Sequence, residues 1–543
     1  MSEGVHPAPV TTRPSGPALR RALRTVTVAW MFGVVWLAAA SGGHFRVLAR
    51  MVGFSNFAFG LLVALPFAAT FGQLVSAFVI ERTGRLKGQF LYCAAGHRLL
   101  WLAAAAVPLV LPIPSTVAVA SMLVILVTSW FLQALAVPAW MTWMGALVPR
   151  RIRGRYFAAR ERLAIGVQIV AVVVFGLLMD RAYDPTAEGI QGGAVWVVSA
   201  ILAVGAVFGT IDILLFGRVP EVVPRPREEG SAAEGEAKAA ALRSLLRFVF
   251  EPLRDRVFRH YVLYAATLTF SMTVGGWFFW LNAVDNLGFS NLTANVLFLA
   301  VSPLAGMWSV GYWGRAIDRW GRRPVLIVCT AGASACLVLW LVIAPDTPTP
   351  EFVRAAAGWA GSGVGRLLGR PEWGVGASGA PLGVYVLAAA ACVLGGATWS
   401  GISLAQTGIV LGFADGSGQS RHVAASSLLI STGGVLGGLA GGAIAQTFEW
   451  LQAEPWRVGP FLWNNWHMTF AVAFAARALT ILWLVHMPDP RAGTVRSLAR
   501  YMGTNVYNGI VTRLFYSVRV FGWRQPVKRA RPTAPPEREG GDA

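Results

Sequence analysis

The 543-residue chain is 55% apolar and only 13% charged, with a mean hydropathy of +0.56. This composition excludes a string of soluble domains and a disordered chain, and four cysteines, all within apolar runs, exclude a disulfide scaffold. The net charge of +20 does not indicate nucleic acid, because the basic residues lie at the ends of apolar segments, where they orient a chain in a membrane and contact anionic lipid head groups.

Twelve apolar runs are long enough to cross a bilayer, which takes about 20 residues in a helix. We number them spans 1 to 12 and predict them at 25–48, 54–80, 89–112, 116–147, 157–180, 192–217, 259–286, 290–314, 324–345, 381–412, 422–448 and 464–487. The sequence therefore predicts an all-α polytopic membrane protein, and the even number of spans places both termini on one side.

The Lys and Arg residues are distributed unequally between the two sides. If the first end is inside, seven of the 46 lie in outer loops and two lie within spans. The positive-inside rule then predicts that both termini are cytoplasmic, in a membrane that we expect to be a bacterial inner membrane. With this orientation, we predict that residues 1–24 form a cytoplasmic segment. We also predict that 218–258, which has an Ala/Glu/Gly/Ser-rich centre, is a cytoplasmic linker.

An alternative interpretation concerns span 1. Arg20, Arg21 and Arg24 could begin a cleaved signal peptide whose apolar core ends near Ala40. Removing this segment would leave eleven spans and reverse the charge argument, and span 1 has a counterpart in the second half of the chain. We therefore favour a retained span.

An internal repeat connects the two halves of the chain. The matching pairs are Gly53 to Asn56 with Gly288 to Asn291, Pro66 with Pro303, Glu81 to Arg85 with Asp318 to Arg322, Arg155 with Arg421, Gly176 with Gly442, and Arg218 to Glu221 with His486 to Asp489. Their offset rises between spans 9 and 10, where 346–380 is a Gly/Pro-rich insertion that we predict to be an extracytoplasmic loop. Two six-span copies, 25–217 and 259–487, keep the same orientation in the membrane.

The second copy of one repeated segment carries a known pattern. Gly314, Asp318, Arg319, Gly321, Arg322 and Arg323, in the short turn after span 8, resemble the signature loop of the major facilitator superfamily. The first copy, with Glu81, Arg82, Gly84 and Arg85, departs from it at Ala77 and Glu81. The resemblance implies twelve helices in two pseudo-symmetric six-helix bundles and a secondary transporter that moves a small solute by alternating access, with or without a coupled proton or ion.

The resemblance also implies a gate at this loop. A carboxylate in a turn of this length can meet the free amides and the positive dipole end of a helix in the opposite half. We expect Asp318 at the start of span 5 near Arg155, and Glu81 at the start of span 11 near Arg421. The alternative is that these residues are topology anchors.

Three charges lie well inside predicted spans, away from their ends, and such charges are candidates for function. They are Arg98 in span 3, Asp212 in span 6 and Arg477 in span 12. The resemblance implies that spans 3, 6, 9 and 12 are supporting helices, so we expect Arg98 to have a structural role, either snorkelling or paired with Asp212. We expect a structural role for Arg477 as well.

By the same resemblance, spans 1, 4, 7 and 10 line the substrate cavity. The candidate lining residues are Trp30, Ser41 and His44, Gln133 and Trp140, Tyr264, Thr267, Ser271 and Asn282, and Trp399, Ser403 and Gln406. This wall is aromatic and neutral-polar, which favours a neutral or amphiphilic solute.

Span 11 carries two interleaved rows of glycine. Gly433, Gly437 and Gly441 form one row and Gly434, Gly438 and Gly442 form the other, at a spacing that lets helix backbones approach closely. We expect close helix packing at both rows, and a smooth face also suits helices that slide past each other.

The tail, 488–543, is basic and has apolar residues at helical spacing. It predicts an amphipathic helix over 492–522 that binds anionic lipid head groups at the inner leaflet. The alternative is a helix docked on the linker.

The functional expectation is therefore a transporter. The rival from another class is a non-transporting scaffold or assembly factor with the same fold, which uses the basic tail to bind a partner. No loop carries a metal-spaced His/Cys set, a nucleophile motif or a phosphate loop, so we expect neither an enzyme nor a metal or other cofactor.

Overall fold

The computed structural model describes residues 14–184, 189–222, 251–367, 381–413, 419–459, 461–489 and 492–503. Within these ranges, the side chains of Glu81, Arg82 and Arg421 lie outside the description. Twelve helices of the described residues are long and apolar enough to cross a membrane, which confirms the predicted number of spans.

The N-terminal half contains spans 1 to 6. Span 1 is Gly16–Ser41, which a short helix Gly43–Val52 follows, span 2 is Asn56–Ala69 with Gly72–Thr83, span 3 is Leu86–Val110, span 4 is Thr116–Leu147, span 5 is Arg150–Ala182 and span 6 is Gly192–Phe216.

The C-terminal half contains spans 7 to 12. Span 7 is Arg256–Gly275 with Phe278–Leu281 and a π-helical turn Asn282–Asn286, span 8 is Asn291–Val296, a π-helical turn Leu297–Val301 and Ser302–Trp320, span 9 is Arg322–Val342, span 10 is Leu382–Phe413, span 11 is Gln419–Thr447 and span 12 is Asn465–His486. The elements between spans are Glu251–Arg254, Glu351–Leu367, Glu449–Gln452 and a two-stranded antiparallel hairpin, β1 Trp456–Val458 and β2 Phe461–Trp463.

Two helices begin earlier than their apolar runs do. Span 1 begins at Gly16 and span 5 at Arg150, whereas hydropathy predicts 25 and 157. Hydropathy marks the part of a helix that suits hydrocarbon, but a helix continues until a proline or cap ends it. Pro17 lies in the first turn of span 1 and Pro149 precedes span 5, so both basic first turns are helical.

The first repeated segment is a turn followed by a helix cap. Gly53 and Gly288 have φ angles of +106° and +69°, a left-handed conformation that favours glycine. Two residues later, Ser55 and Ser290 accept hydrogen bonds from the first turns of spans 2 and 8. The repeat was recognisable because the same local structure begins both spans.

The signature loop and the end of the repeat also meet in both halves. Gly84 and Gly321, with φ of +63° and +86°, end spans 2 and 8. Glu221 accepts a hydrogen bond from the backbone N–H of Lys87 at 2.9 Å, and Asp489 accepts one from Arg323 at 3.4 Å. Each half therefore caps the start of its third span with the acid that follows its sixth.

We call the membrane face that carries the turns between spans 2 and 3, 4 and 5, and 8 and 9 the basic side, and the opposite face the far side. Near the far side, span 2 packs against span 11, and span 5 packs against the start of span 8. The basic-side parts of spans 2 and 8 have their main helix contacts within their own halves. As far as the described residues go, the halves are joined near the far side and apart near the basic side.

The insertions and the tail are described in part. Glu351–Leu367 is a helix within the 346–380 insertion, and the residues of the insertion after it lie outside the description. A compact unit separate from the spans begins at Gly493, and in it 495–503 is helical. The remainder of the predicted tail helix and most of the linker lie outside the described residues, so their membrane and partner contacts remain predictions.

Candidate functional site

An ion pair joins the two halves at the far side. Arg46, in the short helix after span 1, donates to Asp285, at the end of span 7. The Arg46 side chain is 1% exposed, whereas Asp285 is 29% exposed. Arg50 lies 4.0 Å from the other oxygen of the same carboxylate. Two cations from the first half thus converge on one acid from the second.

Asp180 makes a second connection between the halves. Its carboxylate, near the end of span 5, accepts the backbone N–H groups of Asn291 at 2.7 Å and Leu292 at 3.1 Å. These amides are free at the start of span 8, where the helix dipole favours a negative charge. This is the type of contact that the sequence predicts for Asp318 at the basic side, made instead by another acid at the far side.

The two glycine rows of span 11 contact different helices. Gly433, Gly437 and Gly441 face Ala266, Phe270 and Val274 of span 7, in the same half, whereas Gly434, Gly438 and Gly442 face Phe67, Ala64 and Gly60 of span 2, in the other half. One row is therefore part of the C-terminal bundle, and the other is part of the far-side contact between bundles.

Adjacent glycine substitutions should consequently have different effects. A Cβ at Gly441 would lie 3.0 Å from Val274 Cα, and a Cβ at Gly442 would lie 2.9 Å from Gly60 Cα. Each overlap costs about 1–3 kcal/mol. We expect Gly441→Ala to lower the unfolding temperature, and Gly442→Ala to retain it while separating spans 2 and 11, measured by a spin-label distance across the far side. Equal effects of the two variants would contradict this assignment.

A central cavity of about 430 Å³ lies directly beneath the far-side contacts. Residues of both halves line it, and most are aromatic or aliphatic. They include Ser41, Phe45, Trp101 and Trp130 from the first half and Thr273, Gly276, Trp277 and Trp280 from the second. Span 7 is interrupted at Gly276, where φ is +29° and a Cβ would lie 2.7 Å from Val63. A broken span at an inter-half cavity is a typical feature of solute sites in transporters.

A second cavity, of about 240 Å³, lies within the N-terminal half, and we call it the arginine cavity. Its lining includes Trp30 of span 1, Arg98 of span 3, Gln133 and Trp140 of span 4, Arg160 of span 5 and Asp212 of span 6. Spans 3 and 6 thus contribute to a cavity wall. Arg98 and Asp212 line this cavity together with residues of spans 1, 4 and 5, and the expectation that spans 3 and 6 are supporting helices with respect to the substrate cavity stays a prediction.

The predicted pairing of Arg98 with Asp212 is confirmed. Arg98 Nη2 lies 3.6 Å from Asp212 Oδ2, and both side chains are almost fully buried. The guanidinium also lies 3.5 Å from the centre of the Trp36 ring, which adds a cation–π contact. Arg98 does not snorkel, since its partner is at the same depth.

Arg160 is a functional candidate that the sequence reasoning missed. It lies in the run Arg160-Glu161-Arg162 near the start of span 5, which the sequence assigns to the basic residues at the ends of apolar segments. Because the helix begins at Arg150, Arg160 lies about 15 Å along it. Its guanidinium carbon is 4.7 Å from the Trp30 ring centre and 5.6 Å from that of Trp140. Its position within the predicted span, 157–180, is the signal that could have marked it as an intramembrane charge.

Arg477, the third intramembrane charge, lies within the C-terminal half. It donates to Ser271 Oγ and to the Ala333 carbonyl, each at 3.1 Å, and lies 5.3 Å from the Trp399 ring centre. Ser271 in turn donates to the Ala473 carbonyl at 2.7 Å. These contacts join spans 7, 9 and 12, as expected for a structural role.

Four of the twelve predicted cavity residues line the two cavities. Ser41 contributes to the central cavity, and Trp30, Gln133 and Trp140 contribute to the arginine cavity. Thr267, Trp399 and Gln406 are half-buried, and Ser403 is exposed.

The structure brings the four other candidates to neither cavity. His44, Tyr264, Ser271 and Asn282 are fully buried and hydrogen-bond to Ala39, Thr330, Ala473 and Asn286, respectively. Each of these side chains therefore has a hydrogen-bond partner within the protein, although His44 Nδ1 and Asn282 Nδ2 have none among the described residues. Spans 1, 4 and 7 contribute to the two cavities and span 10 to neither of them, and the helical spacing did not indicate which face each polar residue takes.

The signature loop is open in this conformation. Asp318 and Arg155 are exposed, and none of the ion pairs in the described chain includes Asp318. Arg323 donates to the Val485 carbonyl at 2.5 Å, and the Arg319 guanidinium stacks on Trp320, while Arg322 and Gly314 remain within their own half. The predicted gate contact belongs to a basic-side-closed state and stays a prediction. For Glu81 and Arg421 it lies outside the described side chains.

The family model of the Major Facilitator Superfamily matches residues 25–369. Similar solved structures include the nucleoside transporter NupG (TM-score 0.54, 12% identity, covering 87% of this chain and 99% of that one). They also include the xylose transporter XylE from E. coli, partially occluded and inward open (TM-score 0.54, 12% identity, 87% and 100%), and a POT family transporter in complex with a thioalcohol-conjugated peptide (TM-score 0.53, 12% identity, 86% and 97%). At these identities the likeness concerns the fold. No protein of curated function matches the chain.

Proposed function

Because the chain belongs to the major facilitator superfamily, we propose that it is a secondary active transporter that moves a small solute by alternating access between its six-helix bundles, 25–217 and 259–487. The observation that carries this proposal is the central cavity, which both bundles line and which lies beneath a far-side closure. A scaffold that uses its tail for binding has no need for such a cavity.

In the proposed cycle, the far-side contacts and the signature loop act alternately. When Arg46–Asp285 and Asp180–span 8 are formed, the cavity is open to the basic side. When they break, Asp318 moves to the start of span 5 and closes that side, because a carboxylate is stabilised at free helix amides. Solute binding favours whichever intermediate closes around it.

Uptake by proteoliposomes tests the proposal. Purified protein is reconstituted and offered labelled nucleosides, xylose, peptides and small carboxylates. Cysteines at Phe57 and Gln446, which lie across the span 2–span 11 contact, allow a cleavable thiol cross-linker to hold the far side closed after the four native cysteines are replaced. We expect uptake of at least one solute, its loss on cross-linking and its return on cleavage. Failure of every solute to cross, with fixed distances across both sides, would support the scaffold alternative.

We also propose that the basic side is cytoplasmic in a bacterial inner membrane. The excess of Lys and Arg on the side of the termini supports this orientation. Reporter fusions at Pro350 and after Ala543 should therefore give opposite results, periplasmic for the first and cytoplasmic for the second. The same localisation for both fusions would contradict the three spans that lie between Pro350 and the C-terminus.

A further inference from the structure

We propose that the transported solute is a small organic monoanion, and that its negative group binds Arg160 beside Trp30 in the arginine cavity. This inference rests on the proposed transport function and deepens it. It differs from the neutral solute that the aromatic, neutral-polar wall favours, because Arg160 adds a positive charge to the cavity.

The first argument is charge. The arginine cavity contains two guanidinium groups, Arg98 and Arg160, and one carboxylate, Asp212. Asp212 pairs with Arg98, and among the described ion pairs none includes Arg160. Glu161 follows Arg160 in the chain, but its side chain is exposed and it forms none of these pairs. One positive charge therefore remains in a buried site, where an unpaired charge is costly.

The second argument is the imbalance of donors and acceptors. Three residues that line the cavity have four buried donor atoms without a hydrogen-bond partner among the described residues, namely Trp30 Nε1, Arg98 Nε, Arg98 Nη1 and Arg160 Nε. One buried acceptor atom, Asp212 Oδ1, also has no hydrogen-bond partner among the described residues. Arg98, Arg160 and Asp212 are each more than nine-tenths buried. Because a carboxylate offers about four acceptor sites and no donor, an anion matches this set better than a hydroxylated neutral solute does.

The third argument is shape. The rings of Trp30 and Trp140 both lie next to the Arg160 guanidinium, and Phe90 and Phe216 also line the cavity. These rings suit a flat or branched hydrocarbon body attached to the anionic group. The volume of about 240 Å³ is below the usual range for ligand sites, about 300–1,000 Å³. The solute is thus small as well as singly charged.

Ligand-induced thermal stabilisation of the purified full-length protein tests the site. The probes are benzoate, 2-methylpropanoate and lactate, each compared with its uncharged amide. We expect at least one anion to raise the unfolding temperature at concentrations where its amide does not. Arg160→Gln should weaken the affinity for that anion at least tenfold, which is the range of one lost charge-assisted hydrogen bond. Arg162→Gln, the same change at an exposed position two residues away, should leave the affinity unchanged.

Two further variants keep the test decisive if Arg160→Gln does not fold. Trp30→Phe removes one donor but keeps the ring, and should weaken binding several-fold, whereas Arg160→Lys should retain part of it. The proposal is overturned if no anion outperforms its amide, or if the Arg160 and Trp30 variants bind the anion as the wild type does.

The binding readout also separates this inference from the proposed function. An anion that binds through Arg160 but never enters proteoliposomes would leave the site and show that this anion is not the transported solute, whereas the transport function fails only if no solute crosses. Uptake of a neutral solute that Arg160→Gln leaves unchanged would support transport and remove the anion site.

Discussion

Replacing Asp285 by asparagine should open the far side of the protein. In the closed state, Arg46 is buried and pairs with this carboxylate across the two halves. Removal of the acid leaves a buried guanidinium without its counter-charge, which costs about 3–5 kcal/mol for a fully buried pair. Because Asp285 is 29% exposed, we expect about 2 kcal/mol, or roughly a 30-fold change in the ratio of closed to open molecules. Opening relieves the cost because Arg46 then reaches water.

Spin-label distances measure this shift. Labels at Phe57 and Ala453 report on the far side, and labels at Ala158 and Arg315 report on the basic side, all at exposed positions. Asp285→Asn should lengthen the first distance and shorten the second in the same population.

The control for the gate is a double variant. Arg46→Met combined with Asp285→Leu removes both charges, so the far side should close again. The gate assignment would be wrong if Asp285→Asn left both distance distributions as they are in the wild type, or if the double variant opened as far as the single one.

The second large effect is on stability. Asp212→Asn should destabilise the folded protein by about 3–5 kcal/mol, because both members of the Arg98–Asp212 pair are almost fully buried and the change leaves Arg98 uncompensated. The Trp36 ring offsets part of this cost, since cation–π contacts of desolvated groups contribute about 2 kcal/mol. We expect a clearly lower unfolding temperature in detergent.

Two further variants are needed to interpret the unfolding temperature of Asp212→Asn. Arg98→Met with Asp212→Leu replaces the pair by apolar groups and should recover most of the stability, because neither charge remains buried. Glu161→Gln removes the same charge from an exposed position and should change stability by less than about 0.5 kcal/mol. An Asp212→Asn variant as stable as Glu161→Gln would show that the pair does not hold the bundle together.

The sequence allowed the fold to be predicted because its determinants are local. A bilayer requires an apolar run of fixed length, so hydropathy located all twelve spans. The repeat was visible because the starts of spans 2 and 8 need the same left-handed glycine and the same serine cap, as at Gly53 and Ser55. Such requirements depend on a few neighbouring residues, so they can be recognised in the sequence without knowing which helix packs against them.

Some of the site could be predicted for the same reason. Arg98 and Asp212 are isolated charges in apolar runs, and a buried charge needs a partner, so their pairing followed from the sequence. The two glycine rows were also visible, but their different partners were not. Both rows have the same local chemistry, and the spacing of glycines does not specify which helix lies opposite.

The tertiary structure decided the features that depend on how distant helices meet. Arg46 and Asp285 are separated by 239 residues, and neither sequence neighbourhood indicates the other. Arg160 belongs to the arginine cavity because its guanidinium lies over the Trp30 ring of span 1, a contact that its sequence neighbourhood does not indicate. Likewise, Tyr264 and Ser271 do not line either cavity. Their hydroxyl groups form hydrogen bonds within the C-terminal bundle instead. The depth of a residue in the membrane, the direction in which its side chain points and the helix that it contacts depend on helix tilt and on contact between the bundles. The local sequence does not encode these features.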